Sequence, residues 1–223
     1  MFYKALHLTV RPAALALWRP QIIGADNVPT TGPVILASNH LSFADSVAIP
    51  VVSPRQVAFL AKSEYFTGTG FEGFVNRTFF TSIGSIPVNR DHARAAQESL
   101  DLALAHLQTG GVFGIYPEGT RSRDGRLYRF RTGVAWLALQ AQCPVVPVAL
   151  HGTSELMPVG ARLPRIRKFT VEFGAPIDVA QRYAGVPAGR ARREVADEIY
   201  EAVLAMSGQE PAGDFNQRQP ETT

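Results

Sequence analysis

A chain of 223 residues, 46% hydrophobic and 18% charged, is globular in composition and long enough for one fully cored α/β domain. Its formal charge of +3 suits phosphorylated ligands or an anionic membrane surface and is too weak to argue for nucleic acid. The single cysteine, Cys143, excludes an internal disulfide and a multi-cysteine metal site; beside Val145 and Val146 it is expected to be buried.

Phe2, Leu6, Val10, Ala13 and Leu17 recur at helical steps, with Trp18 beside them and Pro12 dividing the run into two short helices. Flanked by Lys4, Arg11 and Arg19, this stripe fits either a membrane interface or packing on the domain's own core. It lacks a signal peptide's continuous apolar centre and cleavage site, and no stretch reaches the ~20 apolar residues of a spanning helix. A cytoplasmic protein is expected.

Pro29, Gly32 and Pro33 lead into Val34-Ile35-Leu36-Ala37, a short apolar run read as a buried strand. Ser38-Asn39-His40-Leu41-Ser42-Phe43-Ala44-Asp45 follows, setting a histidine and an aspartate just past a strand end. On one helix, positions 40 and 45 would point roughly 140° apart, so His40 is placed in the turn and Asp45 in the first helical turn. Asp45 then has two candidate roles. It can complete a capping box with Ser42, or accept Nδ1–H of His40 and leave Nε2 to take a proton from a hydroxyl.

Phe43 to Val52 reads as a helix closed by Pro54, and Gln56 to Ala61 as a second strand followed by Lys62. Gly68-Thr69-Gly70-Phe71-Glu72-Gly73 spells G-x-G-x-x-G, with Asp91 downstream. Ser63 to Thr67 separate it from the strand, and Phe74 to Ser82 is short for a crossover helix, so it reads as a flexible, aromatic-rich loop rather than a nucleotide site. Ser85 to Val88 is a short edge strand with Pro87 inside, ending in Asn89-Arg90. His92 to Leu107 is helical, with Leu100, Leu104 and Leu107 on one face. Val112 to Tyr116 is a strand running into Pro117-Glu118-Gly119-Thr120-Arg121-Ser122. A helix over Ala135 to Ala141, strands over Pro144 to Leu150 and Phe169 to Phe173, and a helix over Arg190 to Met206 complete the pattern. Beyond Gly208 the chain is polar and aperiodic, and is expected to be disordered. Alternating strands and helices predict an α/β fold with a mixed, largely parallel sheet flanked by helices.

Three polar clusters each follow a strand: His40 with Asp45, Asn89 with Arg90, and Glu118 with Arg121. Parallel strands would bring them to one sheet edge; taken singly, each also fits an ordinary solvated loop. Asn39-His40 to Asp45 resembles the N-H-x-x-x-x-D motif of the PlsC-type glycerolipid acyltransferases, the 1-acyl-glycerol-3-phosphate acyltransferase family. Tyr116 to Ser122 is similar to that family's F-P-E-G-T-R-S block, with Tyr for Phe. Gly84 to Arg90 and Val145 to Leu150 are similar to its second and fourth blocks, all in the family's order.

The resemblance covers about residues 28 to 180, making 28–207 the catalytic domain, 1–27 a helical segment suited to membrane association and 208–223 a tail. It implies a glycerol-phosphate acyltransferase-like αβ fold. It also implies acyl transfer from acyl-CoA or acyl carrier protein to a glycerol hydroxyl, and for the leading acceptor, 1-acyl-glycerol-3-phosphate, the product is phosphatidic acid. On that reading His40 is the general base and Asp45 orients it. Arg90, Glu118, Gly119, Thr120, Arg121 and, by a weaker match, Lys62 bind the acceptor's phosphate and glycerol. Glu118 is expected to hold the Arg121 and Arg123 guanidiniums or a substrate hydroxyl. No permanent cofactor and no metal are expected, and neither is nucleic acid; the partners are a lysophospholipid, a thioester and the inner face of the cell membrane. Phe71, Phe74, Phe79 and Phe80 are candidates to line an acyl groove, although core packing is the commoner fate of such residues. The basic stretches Arg123–Arg131 and Arg162–Lys168 suit lipid headgroups or CoA phosphates, or simple solvation. The same motifs would serve glycerol-3-phosphate, another lysophospholipid or a glycolipid as acceptor, and a membrane-binding protein without turnover is the alternative from another class.

Overall fold

The structure, a computed structural model, describes residues 11–88, 95–161 and 163–217. A helix, α1, is described over 11–18. It is followed by β1 (Gln21–Ile23), β2 (Val34–Ser38), α2 (Asp45–Val52), β3 (Val57–Ala58), β4 (Leu60–Lys62), α3 (Glu64–Thr67) and α4 (Gly70–Ser82). Next come β5 (Ile86–Val88), α5 (Ala95–Gln108), β6 (Val112–Ile115), α6 (Gly133–Ala141), β7 (Val145–His151) and α7 (Thr153–Leu156). The last elements are β8 (Thr170–Phe173), α8 (Val179–Arg182) and α9 (Ala188–Ser207).

The main sheet has the order β1-β8-β7-β2-β6-β3, with β4 and β5 forming a separate two-stranded sheet. All neighbours run parallel except β7 and β8. Parallel strands need crossovers, and these put helices on both faces, so β2 is buried along its whole length. Successive side chains of β2 alternate between two cores. Ile35 and Ala37 pack with Leu107, Leu137, Val195 and Ile199 from α5, α6 and α9. Val34 and Leu36 pack on the opposite side with Ala48 and Ile49 of α2, Phe173, and the partly buried Leu15 and Trp18 of α1. Leu15 and Trp18 therefore face the core, whereas Ala13 and Leu17 of the expected stripe are exposed, and Arg11 Nε donates to Val51 O. No helix among the described residues is long and apolar enough to cross a membrane.

The architecture is the expected one, with four local corrections. Gln56 to Ala61 is two strands in different sheets, because Phe59 lies between them and bonds across to Ile86 N through its carbonyl. The glycine-rich segment is helix α4, not a loop. A Cβ on Gly73 would sit 2.1 Å from the carbonyl carbon of Gly68, so this glycine permits close packing. Gln21–Ile23 pairs with β8, so the sheet begins before residue 28.

The tail is the fourth. Leu127 N donates to Glu210 O, Ala212 N to Leu127 O and Arg129 N to Asp214 O, so the stretch to Asn216 is docked rather than disordered. Arg90 and the start of the expected 92–107 helix lie outside the described residues.

Leu107 is fully buried between α5 and the sheet. Leu107→Ala is expected to cost about 2–5 kcal/mol in urea unfolding. A loss below about 0.5 kcal/mol would contradict this packing.

Candidate active site

β2, β6 and β7 end side by side, since Ala37 pairs with Ile115 and Ser38 with Val148. The turns leaving their C-terminal ends therefore meet at one edge of the sheet. Asn39, the first residue past β2, is wholly buried and clamps that edge. Its Nδ2 donates to Leu150 O at 3.1 Å, and Leu150 N donates back to its Oδ1 at 2.8 Å. This exchange ties β2 to β7 where the ladder ends and fixes the position from which His40 departs.

The carboxylate of Asp45 holds His40. Oδ2 accepts from His40 Nδ1 at 2.8 Å, from Leu41 N at 2.7 Å and from Ser42 N at 2.8 Å. Of the two roles open to Asp45, the structure shows the bond to His40. The bonds from Ser42 N to Asp45 Oδ2 and from Ala44 N to Ser42 Oγ close the turn just ahead of α2, whose N-cap is Ala44, so the expected capping box is not formed. Oδ1 is buried and accepts no hydrogen bond. With Nδ1 engaged as donor, the imidazole presents Nε2 as an acceptor. The ring is 16% exposed, and Nε2 has no hydrogen-bond partner among the described residues.

An aromatic stack sets the ring plane. Tyr116 lies against His40 at 3.9 Å between centroids and 9° between planes, and Phe59 lies behind Tyr116 at 5.2 Å. Gly114 makes room for Phe59, since a Cβ there would sit 2.1 Å from the ring. Burial and the charge of Asp45 keep the Tyr116 phenol protonated well above its usual range, and its hydroxyl lies 3.3 Å from Ser46 Oγ.

Glu118 occupies a different position from the one expected of a substrate-binding carboxylate. It is completely buried. Oε1 accepts from His40 N at 2.8 Å and Oε2 from Tyr128 N at 3.2 Å, so it braces main chain where a grip on guanidiniums or substrate was expected. Ser122 N donates to His40 O at 2.7 Å, so the Pro117–Ser122 turn holds both main-chain groups of His40. Gly119 turns there at φ 85°, with its Cβ position 2.9 Å from Arg131 Nε, a geometry that only glycine adopts without strain. Thr120 and Arg121 follow, their carbonyls accepting from Asn216 Nδ2. The Arg121 side chain is half-buried and its guanidinium has no hydrogen bond or ion pair among the described residues.

The remaining candidates separate. Lys62 ends β4 in register with Val88 of β5, the last described residue before Arg90. Phe80 is buried in an aromatic cluster with Tyr65, Phe66 and Phe43, whereas Phe74 is exposed. The side chains of Phe71 and Phe79 are not described. Of the first basic stretch, Arg126 pairs with Asp124, whose carboxyl is lowered to about 2 mainly by its bonds to Arg126, despite desolvation. Arg129 and Arg131 lie over the ring of Phe215. Burial pushes the Cys143 thiol up to about 12, which removes it as a nucleophile. No cluster of metal-ligating side chains occurs among the described residues.

Gln209 carried no sequence signal, yet it touches the site. Its Oε1 accepts from Asn39 Nδ2 at 2.8 Å and its Nε2 donates to Gly125 O at 2.7 Å. A lone glutamine beyond the last helix offers no spacing that would reveal this.

A carboxylate-held imidazole thus lies beside a Pro-Glu-Gly turn at the C-terminal edge of a largely parallel sheet in an α/β fold. The chain belongs to the acyltransferase family, whose sequence profile matches residues 19–151. A chloroplastic 1-acyl-sn-glycerol-3-phosphate acyltransferase of Brassica napus is 30% identical over 145 residues, 65% of this chain and 40% of that protein. The human 1-acyl-sn-glycerol-3-phosphate acyltransferase beta is 34% identical over 125 residues, 55% of this chain and 42% of its own length. The Bacillus subtilis 1-acyl-sn-glycerol-3-phosphate acyltransferase is 27% identical over 169 residues, 75% of this chain and 77% of that one. The matched region thus spans about two fifths of the plant and human proteins. The crystal structure of the 1-acyl-sn-glycerophosphate acyltransferase PlsC from Thermotoga maritima superposes with a TM-score of 0.66 at 23% identity. It covers 92% of this chain and 79% of that one, and shares its fold.

Burial, partly opposed by its two main-chain hydrogen bonds, raises the Glu118 carboxyl from 4.5 to about 7. Between those values the folded protein holds a proton that the unfolded chain has released, so stability declines as pH rises through the window. Urea unfolding across this range should show a loss of about 3 kcal/mol that Glu118→Gln removes; a flat wild-type profile would contradict it. Gln209→Ala leaves a buried N–H of Asn39 unpaired and is expected to cost about 1–3 kcal/mol by the same measurement.

Proposed function

We propose that this chain transfers an acyl group from a thioester, acyl-CoA or acyl carrier protein, to the free hydroxyl of 1-acyl-glycerol-3-phosphate, giving phosphatidic acid. The observation that carries the reading is the 2.8 Å bond from His40 Nδ1 to Asp45, which leaves Nε2 open at the sheet edge. The names of the Brassica, human and Bacillus relatives support this acceptor.

Nε2 takes the proton of the acceptor hydroxyl as its oxygen attacks the thioester carbonyl. The C–O bond forms, the C–S bond breaks, and the proton passes from the imidazolium to the departing thiolate. The cation formed on His40 faces Asp45, whose Oδ1 is otherwise uncompensated by hydrogen bonds, and is stabilised there. Transfer is direct: the sequence has no G-x-S-x-G elbow and Cys143 is buried with a raised pKa. Arg121, with Arg90 and Lys62, provides positive charge for the acceptor's phosphate, while Glu118 positions the turn that carries Arg121. The enzyme works at the inner face of the cell membrane as a peripheral protein.

Purified protein should release free CoA from acyl-CoA only when lysophosphatidate is present. His40→Ala should lower kcat by about 10² to 10⁴ with the folded structure intact by circular dichroism; full turnover in that variant would remove the mechanism. Arg121→Ala should raise KM for lysophosphatidate about tenfold to a hundredfold, with little change in KM for the thioester. An acceptor panel distinguishes lysophosphatidate from glycerol-3-phosphate and from unphosphorylated acceptors.

A further inference from the structure

The segment joining α7 to β8 carries the most exposed large apolar side chains among the described residues: Leu163 at 79%, Ile166 at 68% and Val159 at 66%. Soluble proteins scatter such residues singly, and a cluster marks an interaction surface. The sequence from 157 to 168 contains no acidic residue, and Arg165, Arg167 and Lys168 alternate with the apolar positions, all of them exposed.

The base of this loop is held by the protein. Arg165 N donates to Leu156 O at 2.7 Å and Ala161 N to Pro158 O at 3.0 Å. Ser42 Oγ donates to Met157 O at 2.8 Å, which ties the loop to the catalytic turn. Trp18 Nε1 donates to Arg165 O at 3.0 Å, which ties it to α1, where Leu17 is also exposed. Beside it, Arg19, His151 and Lys168 line a cavity of ≈ 290 Å³ together with Phe169 and Thr170.

The topology fixes which way this surface faces. β8 runs antiparallel to β7, with His151 opposite Thr170, so the loop enters β8 at the sheet edge where β7 and β2 end. That is the edge bearing His40. We propose that residues 157–161 and 163–168, with Trp18 and Arg19 beside them, are the surface that docks this protein on an anionic lipid bilayer. Val159, Leu163 and Ile166 enter below the headgroups, the cations meet lipid phosphates, and Trp18 lies at the interfacial level. Apolar side chains clustered in one loop and interleaved with cations match an anionic bilayer, which offers apolar depth beneath a charged plane, better than a folded acidic partner. The proposal rests on the lipid-acceptor reading above and deepens it, since docking in this orientation turns the imidazole towards the phase that holds the acceptor.

The test is co-sedimentation with phosphatidylcholine vesicles, with and without phosphatidylglycerol, run beside turnover of a short-chain lysophosphatidate held below its micelle concentration. Wild type should bind the anionic vesicles preferentially. The double variant Leu163→Asp/Ile166→Asp should bind them at least about tenfold more weakly, and Arg165→Glu/Lys168→Glu should lose the anionic preference. Both should keep wild-type turnover of the monomeric acceptor. Equal vesicle binding by wild type and variants overturns the docking surface, as does a wild type that ignores vesicles, whatever acidic protein it retains. Vesicle binding that follows the prediction without turnover by wild type leaves the surface standing and removes the acyltransferase reading.

Discussion

One carboxylate oxygen organises the site. Asp45 Oδ2 gathers three N–H groups, from the imidazole and from the main chain of Leu41 and Ser42, and so sets the orientation of His40 while closing the turn that starts α2. Hydrogen bonds to an ionised acceptor are about twice as strong as neutral ones. Here they also share an acceptor buried in the protein, so the ring cannot swing away without breaking its bond to the oxygen that closes the turn ahead of α2. The local fold and the orientation of the reactive group are the same set of bonds.

Around that centre, sequence-distant segments are bonded to each other at the ends of the strands. Asn39 fastens β2 to β7, Ser122 and Glu118 hold the two main-chain groups of His40, and Asn216 holds the carbonyls of Thr120 and Arg121. Most of these are side chain–main chain bonds at places where the β-ladders have run out and main-chain groups would otherwise be buried without partners. Among the motif residues, Asn39, Asp45 and Glu118 therefore serve as fasteners. The resemblance to the family assigned Glu118 to the acceptor; in the structure it is fully buried and bonded to the main chain of His40 and Tyr128.

Where the sequence was legible, periodicity carried the information. Strands buried on both faces read as unbroken apolar runs, and β2, β6 and β7 were placed to within a residue or two. For His40 and Asp45, spacing left two roles open, and the resemblance to the N-H-x-x-x-x-D motif singled out the pairing. What was missed lacks a period. Helix α4 begins in glycines that ordinarily signal a break, but Gly73 is there for its contact with Gly68. The docked tail is held largely through main-chain groups, which every residue possesses, so nothing in its polar composition announces the attachment. Gln209 is the extreme case, a single side chain 170 positions from its partner Asn39.

The parallel stack of Tyr116 on His40 has an electrostatic meaning as well as a steric one. An aromatic ring bears negative charge density on its face, and a neutral imidazole laid flat on it gains little from that quadrupole. A group that carries positive charge gains more from the same face, so Tyr116 gives one side of the reactive ring a polarity that the other side lacks.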